Sequence, residues 1–189
     1  MYVLKHVYEI PGAFSKYIEH LNYCSMNEVN IEVYTDIDKI RIPDLILNIQ
    51  NEEFGIPITL NQQPDLNEIS KFYQVSNGNF WVAKVDDKLV GTIALLDIGN
   101  DQTALRKMFV DRNYRGKDFG IGQKLLDNLV DWARSKNITE IYLGTTEKFI
   151  RAQRFYKNNG FIEIQKQELP KSFPVMDVDV KFYKFCVEI

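Results

Sequence analysis

The run Lys117-Asp118-Phe119-Gly120-Ile121-Gly122 carries residue types suited to holding a phosphate group, and it leads directly into a helical pattern. The first N–H groups of a helix have no intrahelical partner, and the helix dipole adds about half a positive charge at that end. Glycine at positions 120 and 122 lets an anion reach the backbone with no side chain in the way. Lys117 supplies a mobile cation, Arg115 lies just upstream, and Gln123 follows in the first helical turn. The same spacing also describes a glycine-bearing helix start after a solvated basic loop, and for a lone GxG that blander reading is the commoner one. The run is neither the Walker phosphate loop, which needs GxxxxGK before Ser or Thr, nor the GxGxxG dinucleotide fingerprint after an early buried strand.

Other chemistry is thinly supplied. The only cysteines, Cys24 and Cys186, sit at opposite ends of the chain, and His6 and His20 are the only histidines. That set is too small for a disulfide framework or a zinc site, so no metal is expected. Cys186 falls in the expected final strand and both histidines in the N-terminal segment, which argues against a Cys–His nucleophile.

The elements around the glycine turn follow from hydrophobic period. Residues 1–30 read as an N-terminal appendage: a short extended start, a break at Ile10-Pro11-Gly12, and a helix from Ala13 to about Cys24. Met26 is an alternative start. Residues 31–189 read as one domain. Within it, IEVYT from Ile31 alternates as a strand, and Arg41 to Gln50 is helical from Pro43, with proline acceptable in a first turn. Asp65 and Glu68 resemble a capping pair for a helix through Tyr73. Three strands follow, Phe80 to Val85, Lys88 to Asp97 and Thr103 to Val110, separated by Asp86-Asp87 and Gly99-Asn100-Asp101, which is hairpin chemistry. An antiparallel meander results.

Beyond the turn, Ile121, Leu125, Leu129 and Trp132 recur at three and four residues, predicting an amphipathic helix from about Gly120 to Lys136. Glu140 to Leu143 is a short strand. A second helix covers Phe149 to Asn158 and stops at Gly160. Phe161 to Gln167 and Val178 to Val187 are the last two strands, joined by a loop containing Pro170 and Pro174.

The bulk properties are those of a globular domain: 189 residues, 45% apolar and 26% charged. A net charge of -3 gives no overall reason to bind nucleic acid or an anionic membrane. The start MYVLKHVYEIPGAFSKYIEH breaks its apolar stretch with charges and a proline, unlike a signal peptide, and no run reaches the roughly 20 apolar residues of a membrane span. A cytoplasmic setting is the expectation.

The run KMFVDRNYRGKDFGIGQKLLDNLVDWA resembles the central motif of the GNAT superfamily of N-acetyltransferases, whose pattern is Arg or Gln, two residues, Gly, one residue, Gly or Ala. Lys117, Gly120 and Gly122 fill that pattern, with Lys at the first position. Two residues are inserted relative to the commoner YRGKGIG, and Asp118 is a carboxylate beside the expected anion site. The next segment, IYLGTTEKFIRAQRFYKNNGF, is similar too: Ala152, Tyr156, Gly160 and Phe161 match, while Phe149 stands where asparagine is usual. The tail ELPKSFPVMDVDVKFY resembles an ending of bacterial members.

The resemblance spans roughly Ile31 to Tyr183. It implies an α/β (α+β) fold with a mixed, mostly antiparallel central sheet of about six to seven strands flanked by helices. The implied cosubstrate is acetyl-CoA, its pyrophosphate on the segment Arg115, Lys117, Asp118, Phe119, Gly120, Ile121, Gly122 and Gln123, and its pantetheine arm along the backbone of Met108, Phe109 and Val110. One N–H there would polarise the thioester carbonyl. The implied reaction is direct attack by a primary amine, of a small molecule or a peptide, in a ternary complex, with Tyr156 protonating the leaving thiolate. By residue type alone, Tyr156 is more often a ring packed on a helix.

Glu147, after the strand end Gly144-Thr145-Thr146, and Glu52 or Glu53 are candidates for the base, against the ordinary solvated carboxylate. Glu53, Phe54, Ile56 and the loop Pro170 to Met176 could line the acceptor pocket or simply pack against the core. A homodimer is compatible with the sequence. Two other functions remain open: a catalytically silent acetyl-CoA sensor, and an interaction domain in which residues 1–30 dock a partner.

Overall fold

The computed structural model describes residues 28–188. The proposed appendage therefore lies almost wholly outside the described residues, as does Cys24. Strand β1, Val29–Val33, begins two residues before the expected domain start.

Seven strands form one sheet. The two-residue turns that join β2 (Asn79–Val85) to β3 (Lys88–Gly99), and β3 to β4 (Gln102–Val110), hold both central residues at positive φ: Asp86 and Asp87 at 49° and 62°, Asn100 and Asp101 at 56° and 55°. Such turns match the strand twist, which is why Asp and Asn at these places produce tight hairpins. Strands β5 (Glu140–Thr145), β6 (Ile162–Ile164) and β7 (Lys181–Cys186) complete the order β1-β2-β3-β4-β5-β7-β6. All neighbours are antiparallel except β4 and β5. The chain thus has the expected mixed, mostly antiparallel sheet.

Helices cover both faces. Helix α1, Arg41–Asn48, carries Pro43 in its first turn and runs on through a wide turn at Ile49–Glu53. With α2, Ile69–Tyr73, it packs Ile42, Ile46, Leu66, Ile69 and Tyr73 onto Phe80, Val82 and Ala94. On the opposite face α3, Ile121–Ser135, buries Ile121, Leu125, Leu129 and Ala133 at the expected period, and α4, Ile150–Asn158, adds Tyr156.

Two expectations are corrected. The helix expected from Asp65 to Tyr73 is broken into a 3₁₀ turn at Pro64–Leu66 and the short α2, and neither Asp65 nor Glu68 caps it. Asp65 is instead buried and bonded elsewhere, because a lysine in β4 competes for it. The last two strands are shorter than their hydrophobic runs. Phe161 is a core residue just before β6, and Asp179 turns back on Met176 through two hydrogen bonds, delaying β7 to Lys181.

Candidate active site

The parallel pairing of β4 with β5 is brief: Gln102–Ala104 lie beside Glu140–Tyr142, and the strands then part. The cause sits in β4. Thr92 pairs with Phe109 and Ala94 with Arg106, so Lys107 and Met108 together face the single residue Ile93. This is a β-bulge, with Lys107 at φ 51°, and it bends the strand away from its neighbour. From Leu105 to Val110 the edge of β4 that faces β5 has no strand partner among the described residues, and Met108, Phe109 and Val110 lie on it.

The glycine turn lies at the end of that open edge. Gly120 is the residue before α3 and has φ 61°, a left-handed conformation that a side chain would strain. No side chain among the described residues caps α3, and its first turn holds no acidic residue. Gly122 is different. A methyl group there would make only ordinary contacts, 3.8 Å from Met108 and Phe155, so the fold itself does not require glycine. A glycine here leaves the backbone amides of the first helical turn without a side chain between them and an approaching anion. Phe119 packs against Tyr114, Ile121 is buried, and Lys117 and Asp118 are exposed. Gln123 turns its amide to Asp127 and Asn159, both at 2.8 Å.

Two cations treated alike in the sequence differ in the fold. Arg115 donates from Nε to the Val110 carbonyl at 2.6 Å and pairs with Glu53 at 2.8 Å. It therefore clamps the end of β4 to the wide turn after α1. Lys117 has no ion pair among the described residues.

Glu53 is thus engaged by a guanidinium, whereas Glu52 and Glu147 are exposed. Phe54 meets Phe149 edge-on at 4.6 Å, and Phe149 in turn meets Phe109 at 6.2 Å. The phenylalanine in the usual asparagine position therefore closes an aromatic wall along the gap between β4 and β5. Lys148 ties this wall down by donating to the carbonyls of Phe54 and Gly55 at 3.2 and 2.8 Å.

Tyr156 is 6% exposed and packs against Phe155, Phe161 and Tyr183. Burial pushes its phenol well above the usual range, so it stays protonated at any working pH. Its hydroxyl donates to no other described residue.

Three site residues escape local sequence reasoning. Lys107, 8% exposed, donates to Gln63 at 2.6 Å and pairs with Asp65 at 3.1 Å, while the Tyr73 hydroxyl donates to the same carboxylate at 2.5 Å. Burial lowers the Lys107 ammonium to about 8, outweighing the opposite pull of Asp65. Arg106 is half-buried and donates to the Met176 sulfur at 3.1 Å. The Asp179 carboxylate lies over Gly144, where any side chain would collide with it, and burial raises its pKa. The one signal in the sequence is the pair of adjacent basic residues in the otherwise apolar strand TALRKMFV.

The acetyltransferase (GNAT) family model matches residues 44–161, more than half of the chain. A crystal structure of a GNAT-family acetyltransferase from Staphylococcus aureus Mu50 is 46% identical, with TM-score 0.82 over 85% of this chain and 100% of that one. An acetyltransferase structure from Streptococcus agalactiae 2603 is 34% identical, with TM-score 0.79 over 84% and 98%. Among curated proteins, N-acetylaspartate synthetase of Xenopus tropicalis is 37% identical over 51% of this chain and 36% of its own length. The chain spans only about a third to a half of the first curated relatives it matches. The match runs through the glycine turn and both flanking elements, so the chain belongs to the acetyltransferase (GNAT) family.

Proposed function

We propose that the protein transfers an acetyl group from acetyl-CoA to a primary amine by direct attack in a ternary complex. The observation that carries this reading is the unpaired edge of β4 from Leu105 to Val110, which ends beside an uncapped helix whose Gly122 is free of any packing need. Acetyl-CoA supplies an activated thioester. The amides of α3 around Gly120 to Gly122 hold its pyrophosphate, with Lys117 as the free cation. The backbone of Met108, Phe109 and Val110 pairs with the pantetheine arm, and one N–H there polarises the carbonyl. Arg115 holds this edge in place through Val110 and Glu53. Tyr156, which burial keeps protonated in the free protein, protonates the departing thiolate, and the proton lost by the attacking ammonium passes to a base for which Glu147, Glu52 and Glu53 are the candidates.

Direct attack needs no side-chain nucleophile. The one cysteine among the described residues, Cys186, lies in β7 at the far end of β5 from the gap, paired with Glu140.

The test has two parts. Acetyl-CoA at 100 times its dissociation constant should stabilise the protein by about 2.7 kcal/mol in thermal unfolding; no shift would sink the reading. Tyr156→Phe should lower kcat by about a hundredfold, the usual worth of a positioned acid, while acetyl-CoA binding persists. Equal activity of the two proteins across pH would remove Tyr156 from the mechanism.

A further inference from the structure

The gap between β4 and β5 is flanked by two opposite charges. On β4, Arg106 is the first outward-facing residue after the parallel pairs end, on the same sheet face as Ala104. On β5, Gly144 stands two residues after Tyr142 on that face, and the Asp179 carboxylate occupies the space above it. Met176 lies between the two charges. Its N–H donates to Asp179 at 3.0 Å, and its sulfur receives the Arg106 N–H at 3.1 Å. The charges feel each other, yet no ion pair joins them among the described residues.

Each group is short of partners among the described residues. A guanidinium has five donors in a planar fork suited to a carboxylate, and a neutral thioether is a weak acceptor for one of them. Arg106 is half-buried, so its lost hydration is not made good by Met176. Asp179 accepts one backbone N–H and is mostly removed from water, a condition that favours a cationic hydrogen-bond donor. The neighbouring Lys107 cannot serve Asp179, since Gln63 and Asp65 hold it. Lys166 is the other cation whose field reaches Asp179.

We infer that Arg106 and Asp179 form the acceptor subsite and that the acceptor is a free amino acid, its carboxylate on the Arg106 fork and its ammonium against Asp179. The inference rests on the transferase reading given above and narrows its acceptor from any primary amine to one carrying a carboxylate close to the amine. The geometry separates the two roles. Asp179 lies over β5 and draws the nitrogen into the gap where the thioester carbonyl is held, while Arg106 anchors the other end of the molecule on β4. A polyamine would place a second cation against Arg106, and like charges at that distance repel.

The test follows thiol release from acetyl-CoA with each standard L-amino acid as acceptor, beside its α-carboxamide and beside spermidine. The carboxamide keeps the amine and makes it less basic, so ordinary reactivity favours the amide. The wild-type protein should instead prefer at least one free acid over its amide by tenfold or more in kcat/KM. Arg106→Gln should collapse that ratio to near one by raising KM for the acid. Asp179→Asn, which keeps an oxygen for the Met176 N–H, should lower kcat/KM for acid and amide together. An acetyl-CoA thermal shift on each variant separates loss of the subsite from loss of fold. If the cofactor binds and amides or spermidine react as well as acids, or no amino acid reacts, the inference is overturned while cofactor binding stands. If acetyl-CoA itself fails to bind, the transferase reading falls first.

Discussion

The two sides of the gap between β4 and β5 are built from different material. The proposed cofactor side is mainly backbone: the amides at the start of α3, Gly122 with no side chain, and the edge of β4 left without a strand partner among the described residues. The proposed acceptor side is side chains, Arg106 and Asp179 folded over Gly144, with the buried Lys107–Asp65–Tyr73 group next to Arg106 in sequence. A backbone site offers the same N–H groups whatever residues surround it, provided nothing blocks them. A side-chain site depends on the identity of each member and on what holds it. The first suits a ligand common to many enzymes, and the second suits one that varies.

The largest effect should therefore come from breaking the side-chain framework. Lys107→Met leaves Asp65 buried with only Tyr73 and should cost about 3 kcal/mol of stability in urea denaturation, the scale for removing one partner of a buried pair. Its pH dependence is specific. The folded-state pKa lies near 8 and the ordinary lysine value is 10.5, so between these values the unfolded chain binds more protons. Below about pH 8 proton linkage at this group adds nothing and the cost is that of the lost pairing alone; a further increment appears as pH rises toward 10.5. Wild type should gain about 2–3 kcal/mol over Lys107→Met across that window. Tyr73, whose phenol is pushed up by burial, acts in the opposite sense above pH 10 but is common to both proteins. A flat difference would mean that Lys107 does not hold the bulge in a charged, desolvated state.

The backbone side should break at one position. At Gly122 a Cβ makes only ordinary contacts with Met108 and Phe155, and Gly122→Val adds bulk beside the first-turn amides of α3 that the proposed pyrophosphate site uses. Acetyl-CoA affinity should fall about a hundredfold or more, some 2.7 kcal/mol, with the unfolding midpoint of the free protein nearly unchanged. Calorimetric titration measures the first and thermal unfolding the second. A variant that bound normally would show that the pyrophosphate lies elsewhere.

The same contrast explains what could be read from the sequence. Glycine spacing, a preceding strand and a 3.6-residue period are local, so the turn from Lys117 to Gly122, helix α3 and the hairpins at Asp86-Asp87 and Asn100-Asp101 are all legible. Arg106 and Asp179 are 73 positions apart in the numbering, and Lys107 reaches Gln63 across a separation of 44. No local pattern joins them. Asp65 misled for a related reason: spaced three residues before Glu68 it has the form of a helix cap, but a buried cation offers a carboxylate more than a free N–H does. Arg115 shows a further limit of local reading. Adjacent to a phosphate loop it resembles a phosphate ligand, whereas the fold turns it toward Glu53 and Val110.

That difference between Arg115 and Lys117 gives the smallest effect and the finest test of the comparison. Lys117 is exposed and free of ion pairs among the described residues, so its attraction for a pyrophosphate acts through water and is screened by salt. Lys117→Ala should weaken acetyl-CoA binding about threefold at low ionic strength and almost not at all at 0.5 M salt, in line with the modest worth of exposed charges. Arg115→Ala acts through geometry, by freeing the Val110 carbonyl and leaving Glu53 unpaired beside the open edge of β4. Its loss of affinity should be larger and should persist at high salt. Titrations of both variants at two ionic strengths distinguish them. If Lys117→Ala were insensitive to salt and Arg115→Ala sensitive, the cation facing the pyrophosphate would be Arg115, and the cofactor side would depend on a side chain after all.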